Sequence, residues 1–289
     1  MIPLNYIQEW RNHAPWSDMA QVEQDLIISR AICDLFNCNR LQGKVAFRGG
    51  TAIHKLLLQR PLRYSEDIDL VQTQAEPIGQ TIDAVRESLN WLGRCRTRQS
   101  EHTTRLQFAF VPETFPGTTR NLKIEINTRE QNNLYKIKKY PYWMNCTWHE
   151  ANTEIHSYEP AELFGTKLRA LLQRNKNRDL FDLYQGIEQC LLNFEKTVLC
   201  LEHYLKINDQ TISRAEAEQR MLKKLYGNLT DDVAPMLPYG VQFDNNLALD
   251  AFNFIWSELI ARISGEPWKV SEKVIDELRN SKYPSLLAS

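Results

Sequence analysis

Several features that would classify a chain quickly are missing here. No run of eighteen apolar residues occurs, so no membrane-spanning helix is expected. The first residues, MIPLNYIQEWRNH, lack the charged start and apolar stretch of a secretory signal, and the expected location is cytoplasmic. The six cysteines, at 33, 38, 95, 146, 190 and 200, form no C-x-x-C, which argues against a zinc ribbon or a disulfide scaffold; they read as reduced thiols. In HEANTEIH, His156 follows His149 by seven residues rather than four, so the H-E-x-x-H zinc pattern is absent and no zinc is expected. There is no internal repeat and no low-complexity tract.

An excess of charge of one sign is lacking too. Over 289 residues, 35 basic side chains face 36 acidic ones, and 43% of residues are hydrophobic, which describes a globular chain with one large core or two modest ones. A net charge of −1 speaks at first against a polyanionic partner. The total averages unlike parts, however. Between Arg94 and Lys139 stand ten basic residues against four acidic ones, and Lys167 to Arg178 carries five basic residues and no acid. Such tracts suit either solvated faces or a nucleic-acid acceptor.

Hydrophobic periodicity places a helix from about 18 to 36, capped by Ser17 or Asp18, with Val22, Leu26, Ala31, Ile32, Leu35 and Phe36 as its apolar residues. A strand is expected over 44–47, then an Arg48-Gly49-Gly50 turn and a helix over 51–58 that Pro61 closes. Period-two alternation predicts strands over 67–71, 103–111 and 121–127, with a helix over about 77–91. Beyond these the β signal fades, and helices are expected at about 160–174, 178–192, 194–206, 211–226, 244–263 and 270–281. The expected class is α+β: a small mixed sheet with flanking helices over 1–157, followed by a helical bundle over 158–289.

The segment FRGGTAIHKLLLQRPLRYSEDIDL carries the chemistry. Paired glycines between a strand and a helix let backbone approach a ligand, and the N–H groups near Thr51 suit a phosphate. In the strand that follows, Asp67 and Asp69 project to one face about 7 Å apart while Ile68 and Leu70 enter the core. Two such carboxylates repel unless a cation lies between or beside them, and a hard divalent ion that also binds substrate phosphates is the natural partner. The bland alternative pairs them with Arg63 or Lys55. In LKIEI, Leu122, Ile124 and Ile126 alternate with Lys123 and Glu125, so Glu125 is a candidate third carboxylate. Arg63 and Ser65, at strand spacing from Asp67, are expected on the same side, Arg63 suiting a phosphate oxygen. His54 reads as a structural histidine.

Taken in order, G-G-T, R-Y-S-E-D-I-D-L, an apolar-Glu-apolar strand and K-L-R-A-L-L-Q-R-x-x-x-R-D-L-F-D-L resemble the AbiEii/AbiGii-type nucleotidyltransferase toxins, a branch of the DNA polymerase β-like superfamily that includes the MenT toxins. The resemblance runs from about 47 to 184. One departure is visible: sixteen residues separate Gly50 from Asp67, longer than the usual interval. The resemblance implies a nucleotidyltransferase sheet and transfer of a nucleoside monophosphate from an NTP, dependent on Mg²⁺ or Mn²⁺. It implies Asp67, Asp69 and Glu125 as metal-holding catalytic carboxylates, and Gly49, Gly50 and Thr51 as the triphosphate cradle. Lys167 and Asp182 occupy the positions of a required helix lysine and aspartate, and Arg178 joins Arg63 and Ser65 as an expected nucleotide-binding residue. RNA, specifically the tRNA 3′ end, is the implied acceptor, and an antitoxin protein the implied partner.

The helix pattern leaves alternatives around that second pair. Lys167 lies at the edge of the Phe164, Leu168, Leu171 and Leu172 stripe, where it either reaches a phosphate or snorkels along the rim. Asp182 points nearly opposite the stripe of Leu180, Leu183, Tyr184, Ile187 and Leu191, which leaves it facing solvent or another domain. There it would pair with Arg178 or orient Lys167, and Asp179 is an equal candidate. Two other readings stay open: the same chemistry on a small molecule or a protein hydroxyl, and a non-catalytic regulatory protein of the same fold.

Overall fold

The computed structural model describes residues 2–288 and divides the chain into two compact units. The first comprises Met1–Glu159 with Leu237–Gly240; the second comprises Pro160–Met236 with Val241–Ser289.

The first unit is built on one mixed sheet. In chain order it contains α1 (Leu4–Trp10), α2 (Met19–Phe36), β1 (Val45–Arg48), α3 (Gly49–Ala52) continued by a π-turn (Ile53–Leu57), β2 (Asp67–Gln72), α4 (Gly79–Ser88), β3 (Cys95–Gln99), β4 (Thr103–Phe110), β5 (Arg120–Asn127), β6 (Lys138–Cys146) and β7 (His149–Ser157). The strand order is β3-β4-β5-β2-β1-β7-β6. β2 runs parallel to β5 and antiparallel to β1, while β3, β4 and β5 form an antiparallel meander. Ile68, Leu70, Leu106, Phe108, Ile124 and Ile126 are buried on one face, which α2 crosses. Asp18 caps α2 by accepting from the backbone N–H of Ala20.

Four elements go beyond the periodicity reading. α1, β3 and the β6–β7 hairpin carry no strong apolar pattern. In β6 the buried set is Tyr142, Met144 and Cys146, interrupted by Pro141; in β7 it is Thr153, Ile155 and Ser157, so two of its three inward residues are polar. Proline is tolerated because β6 is an edge strand. The HEANTEIH tract is simply the body of β7. The cysteines are free, and burial pushes the Cys33 thiol up to about 12, which makes it inert.

The second unit is helical: α5 (Pro160–Gln173), α6 (Arg178–Cys190), α7 (Phe194–Ile207), α8 (Arg214–Lys224), α9 (Asn245–Glu258) and α10 (Ser271–Ser281). α5 packs on both α6 and α7, and α6 also packs on α9. Close approach is enforced by small residues: a Cβ at Gly186 would lie 2.0 Å from the Phe164 ring, and one at Gly165 would lie 2.4 Å from the Cys200 Cβ.

Candidate active site

One face of the first unit's sheet gathers the acids. On β2, Asp67 and Asp69 are partly exposed, and Ile68 and Leu70 between and beyond them are buried. Parallel pairing with β5 sets Asp67 opposite Lys123 and Asp69 opposite Glu125; antiparallel pairing sets Arg48 of β1 opposite Asp69 and Arg105 of β4 opposite Glu125. Opposed residues share a face. Lys123 Nζ donates to Asp67 Oδ2 at 3.0 Å and lies 3.1 Å from Glu125 Oε1, and Arg105 Nε donates to Glu125 Oε1 at 2.7 Å. Burial disfavours the Glu125 charge, but Lys123 and Arg105 outweigh it and hold the carboxyl below its ordinary value. Burial likewise works against the Lys123 charge, and Asp67 and Glu125 outweigh it, so the ammonium sits above its ordinary value.

The glycine turn meets these acids directly. Gly49 has φ +81°, and a Cβ there would stand 2.1 Å from Asp69 Oδ2. Both the conformation and the space therefore require glycine. The long interval between Gly50 and Asp67 closes through the β1–β2 pairing, which returns Asp69 to the start of the turn.

Two expected ligand-binding side chains, Thr51 and Arg63, are turned inward. Thr51 is buried; its hydroxyl donates to the Asp67 carbonyl and lies 2.8 Å from Ser65 Oγ. Arg63 is buried, with Nη1 donating to the Tyr64 carbonyl at 2.8 Å. The placement of Arg63 beside the acids assumed extended backbone back from Asp67, but the segment 61–66 is not strand, so the period-two projection does not apply to it. Lys55 does not pair with the β2 acids either: it bonds Asp25 Oδ1 at 2.7 Å and Ser29 Oγ at 3.0 Å. His54 is buried and accepts from the Leu62 N–H at Nδ1.

Polar residues of α2 support the site from behind. Gln24 Nε2 donates to the Glu66 carbonyl at 3.2 Å, immediately before Asp67. Asp25 joins Lys55 of the π-turn to the Trp10 Nε1–H of α1, the latter at 2.9 Å. Glu23 accepts from the N–H groups of Glu113 and Thr114. Arg48 pairs with buried Glu130; burial disfavours its charge, and Glu130 outweighs that and keeps the guanidinium above its ordinary value. Sequence reasoning missed these residues: Lys123 was legible as the face-mate of Glu125, whereas Arg48, Arg105 and Glu130 are assigned only by strand register and tertiary contact.

The second unit holds the other expected residues. Lys167 Nζ lies 3.1 Å from Asp179 Oδ1 and 2.9 Å from Asp182 Oδ2, and Arg174 grips Asp179 with Nε at 2.7 Å and Nη2 at 2.8 Å. All three of Lys167, Asp179 and Asp182 are buried. Asp182 thus does not face solvent: α6 is covered on two faces, and the one opposite its apolar stripe meets Lys167 of α5. Both aspartates take the lysine, and Arg178 is partly exposed beside them in sequence. Burial raises the Asp179 carboxyl, but Lys167 and Arg174 outweigh it and hold it below its ordinary value. Most of the basic tract 167–178 is therefore used internally, since Arg169 also donates to the Tyr204 carbonyl.

Among the described residues, no group of three or more His, Cys, Asp or Glu side chains is gathered to hold a metal ion. The donors at hand are the all-oxygen pair Asp67 and Asp69, with Glu125 in register but carrying two cations. One or two carboxylates completed by substrate phosphates is the donor set that Mg²⁺ takes, so the pair fits such an ion. The Lys123 ammonium, between Asp67 and Glu125, shows that these oxygens already converge on positive charge.

A mixed sheet bearing Asp-x-Asp against a glycine turn, followed by a helical unit, defines the chain as a nucleotidyltransferase. The chain belongs to the AbiEii family, the nucleotidyl transferase AbiEii toxins of type IV toxin–antitoxin systems, which matches residues 30–256. Among solved structures it is similar to MenT4, the nucleotidyltransferase toxin Rv2826c of Mycobacterium tuberculosis H37Rv, at 12% identity and a TM-score of 0.62, covering 98% of this chain and 99% of that one. JHP933 from Helicobacter pylori aligns at 14% identity and a TM-score of 0.49, over 93% of this chain and 97% of that one. The likeness to MenT4 shows a shared fold. No curated protein matches the chain.

Proposed function

We propose that the chain transfers a nucleoside monophosphate from an NTP to an RNA 3′ hydroxyl, with the tRNA 3′ end as the acceptor. It would act in the cytoplasm and be restrained by a cognate antitoxin. In the reaction the acceptor 3′ hydroxyl gives up its proton to water as its oxygen forms a bond to the α-phosphorus, the bond from that phosphorus to the β-phosphate bridging oxygen breaks, and pyrophosphate leaves. The observation that carries the reading is the placement of Asp67 and Asp69 on the open face of β2, with Asp69 against the Gly49 backbone. Asp67 and Asp69 would hold Mg²⁺ together with phosphate oxygens, and the ion would neutralise charge on the transferring phosphoryl group. Gly49 lets the Asp69 carboxylate lie directly against the turn backbone, Gly49 and Gly50 would present their N–H groups to the triphosphate, and Thr51 and Ser65 brace the entry to β2. Glu125 orients Lys123 and Arg105, and its carboxylate would be a third ligand for the ion once those cations move aside. Lys167, Asp179 and Asp182 act as one braced unit that holds the helical part in its working form, with Arg178 at its exposed margin.

The test is incubation of the full chain with Mg²⁺, total tRNA and each labelled NTP in turn, with products separated into RNA, protein and small-molecule fractions. Label in the RNA fraction is expected, abolished by Asp69→Asn at unchanged melting temperature. Label confined to protein or small molecules would replace the acceptor, and no label from any NTP would overturn the reading.

A further inference from the structure

The row of residues that carries the acids does not stop at Glu125. Cross-strand register continues it: Asp69 opposes Glu125, Glu125 opposes Arg105, and Arg105 opposes Arg98 on β3. The neighbouring row runs Asp67, Lys123, Gln107, Arg96. Directly opposed residues share a sheet face, so Arg96 and Arg98 lie on the face of Asp67 and Asp69, about three strand spacings (roughly 14 Å) away. Thr97 between them confirms the parity: it points to the opposite face, where Arg86 of α4 donates to its hydroxyl at 2.9 Å.

Charge changes sign along these rows. Asp67 and Glu125 have Lys123 and Arg105 as counter-ions, whereas Arg96 and Arg98 are exposed, and neither guanidinium has an ion pair or hydrogen bond among the described residues. The other edge of the same sheet is different. Lys138 and Lys139 of β6 are paired with Glu159 and Glu154. Protection of an edge strand from pairing is served by either arrangement. Unneutralised guanidiniums on the acid-bearing face alone call for an anion brought from outside, and planar forked donors suit phosphate oxygens.

We propose that Arg96 and Arg98 hold the phosphodiester backbone of a single-stranded acceptor end as it crosses the β3 edge toward Asp67 and Asp69. The inference rests on the nucleotidyltransferase reading with an RNA acceptor, and it assigns the acceptor's line of entry on this sheet.

The test is fluorescence anisotropy of a fluorescein-labelled RNA with a single-stranded 3′ end, titrated with the full chain without NTP over a series of KCl concentrations. R96E/R98E keeps the edge charged, so it separates phosphate binding from edge protection. The variant should bind at least about tenfold more weakly and lower the slope of log affinity on log salt by at least about 1.4, two lost contacts at about 0.7 each plus the added repulsion. R96Q/R98Q should fall between it and the parent. The charge-matched K269E/K273E, on exposed positions of the helical unit, should leave affinity and slope unmoved. Unchanged affinity and slope in R96E/R98E would overturn the proposal, as would an equal loss in K269E/K273E. The two readings fail separately. RNA labelling by the parent with unchanged binding in R96E/R98E removes only the entry line. Arg96- and Arg98-dependent binding without labelling from any NTP supports the entry line and removes the transferase reading.

Discussion

Two charge clusters of similar composition sit in opposite environments. On the sheet face, Asp67, Lys123 and Glu125 keep side-chain exposures of 28%, 28% and 25%, and Arg105 keeps 45%. In the helical unit, Lys167 keeps 7% and both Asp179 and Asp182 keep 0%. Water reaches the first set, so its ion pairs are weak and exchangeable, which is what a site needs if a metal ion and phosphates are to take the place of its own cations. In the second set Lys167 and the two aspartates are sealed and only Arg174, 47% exposed, reaches water, so each buried charge depends on its fixed partners. The same kind of lysine and arginine ion pair with a carboxylate thus serves exchange in one unit and bracing in the other.

The largest expected contrast is catalytic. Asp69→Asn should lower nucleotide transfer by about a thousandfold or more while leaving the urea midpoint close to that of the parent. Equal losses of activity and stability would erase the distinction between the clusters. Asp179→Ala should do the reverse first: urea unfolding should show a loss of about 1–3 kcal/mol, because Arg174 loses its two hydrogen bonds and Lys167 keeps Asp182 alone as its counter-ion. The pH dependence sharpens this. The folded-state carboxyl of Asp179 is held below its ordinary value, so its contribution is complete above that ordinary value and disappears as pH falls through the lower folded one. The stability gap between the parent and Asp179→Asn should therefore be full at pH 7 and close below about pH 4. A gap that widens with acid would contradict the pairing.

Gly49→Ala should couple the two kinds of effect within the sheet unit. The substitution adds a Cβ against Asp69 Oδ2 at positive φ, so a stability loss of about 1–3 kcal/mol in urea should accompany loss of transfer. The smallest effect is expected at Lys123→Met, where a partly exposed pair is removed and stability should change by no more than about 1 kcal/mol.

The difference between the clusters also explains what could be read without coordinates. Asp67 and Asp69 were legible because β2 alternates strictly around Ile68 and Leu70, and Glu125 was legible for the same reason between Ile124 and Ile126. Their counter-ion Arg105 was not, because its role depends on β4–β5 register, which alternation within a strand does not specify. For Asp182 the alternatives of solvent exposure and an Arg178 or Lys167 partner stayed open because a single apolar stripe was taken as the whole buried surface of α6, whereas α5 and α9 cover two of its faces and Lys167 is the partner shown. The side chosen by Arg63 was not legible, because strand periodicity does not extend into 61–66, which is not strand. The β6–β7 hairpin escaped because Pro141, Thr153 and Ser157 weaken its pattern, and its place in the sheet is set by pairing with β1.

The account stands most directly on Asp67 and Asp69. Transfer of labelled NMP to total tRNA, measured for the parent, Asp67→Asn and Asp69→Asn beside their urea unfolding curves, tests it in one experiment. The account predicts RNA labelling by the parent, none by either variant, and three closely similar unfolding midpoints. Undiminished labelling by Asp69→Asn would contradict it.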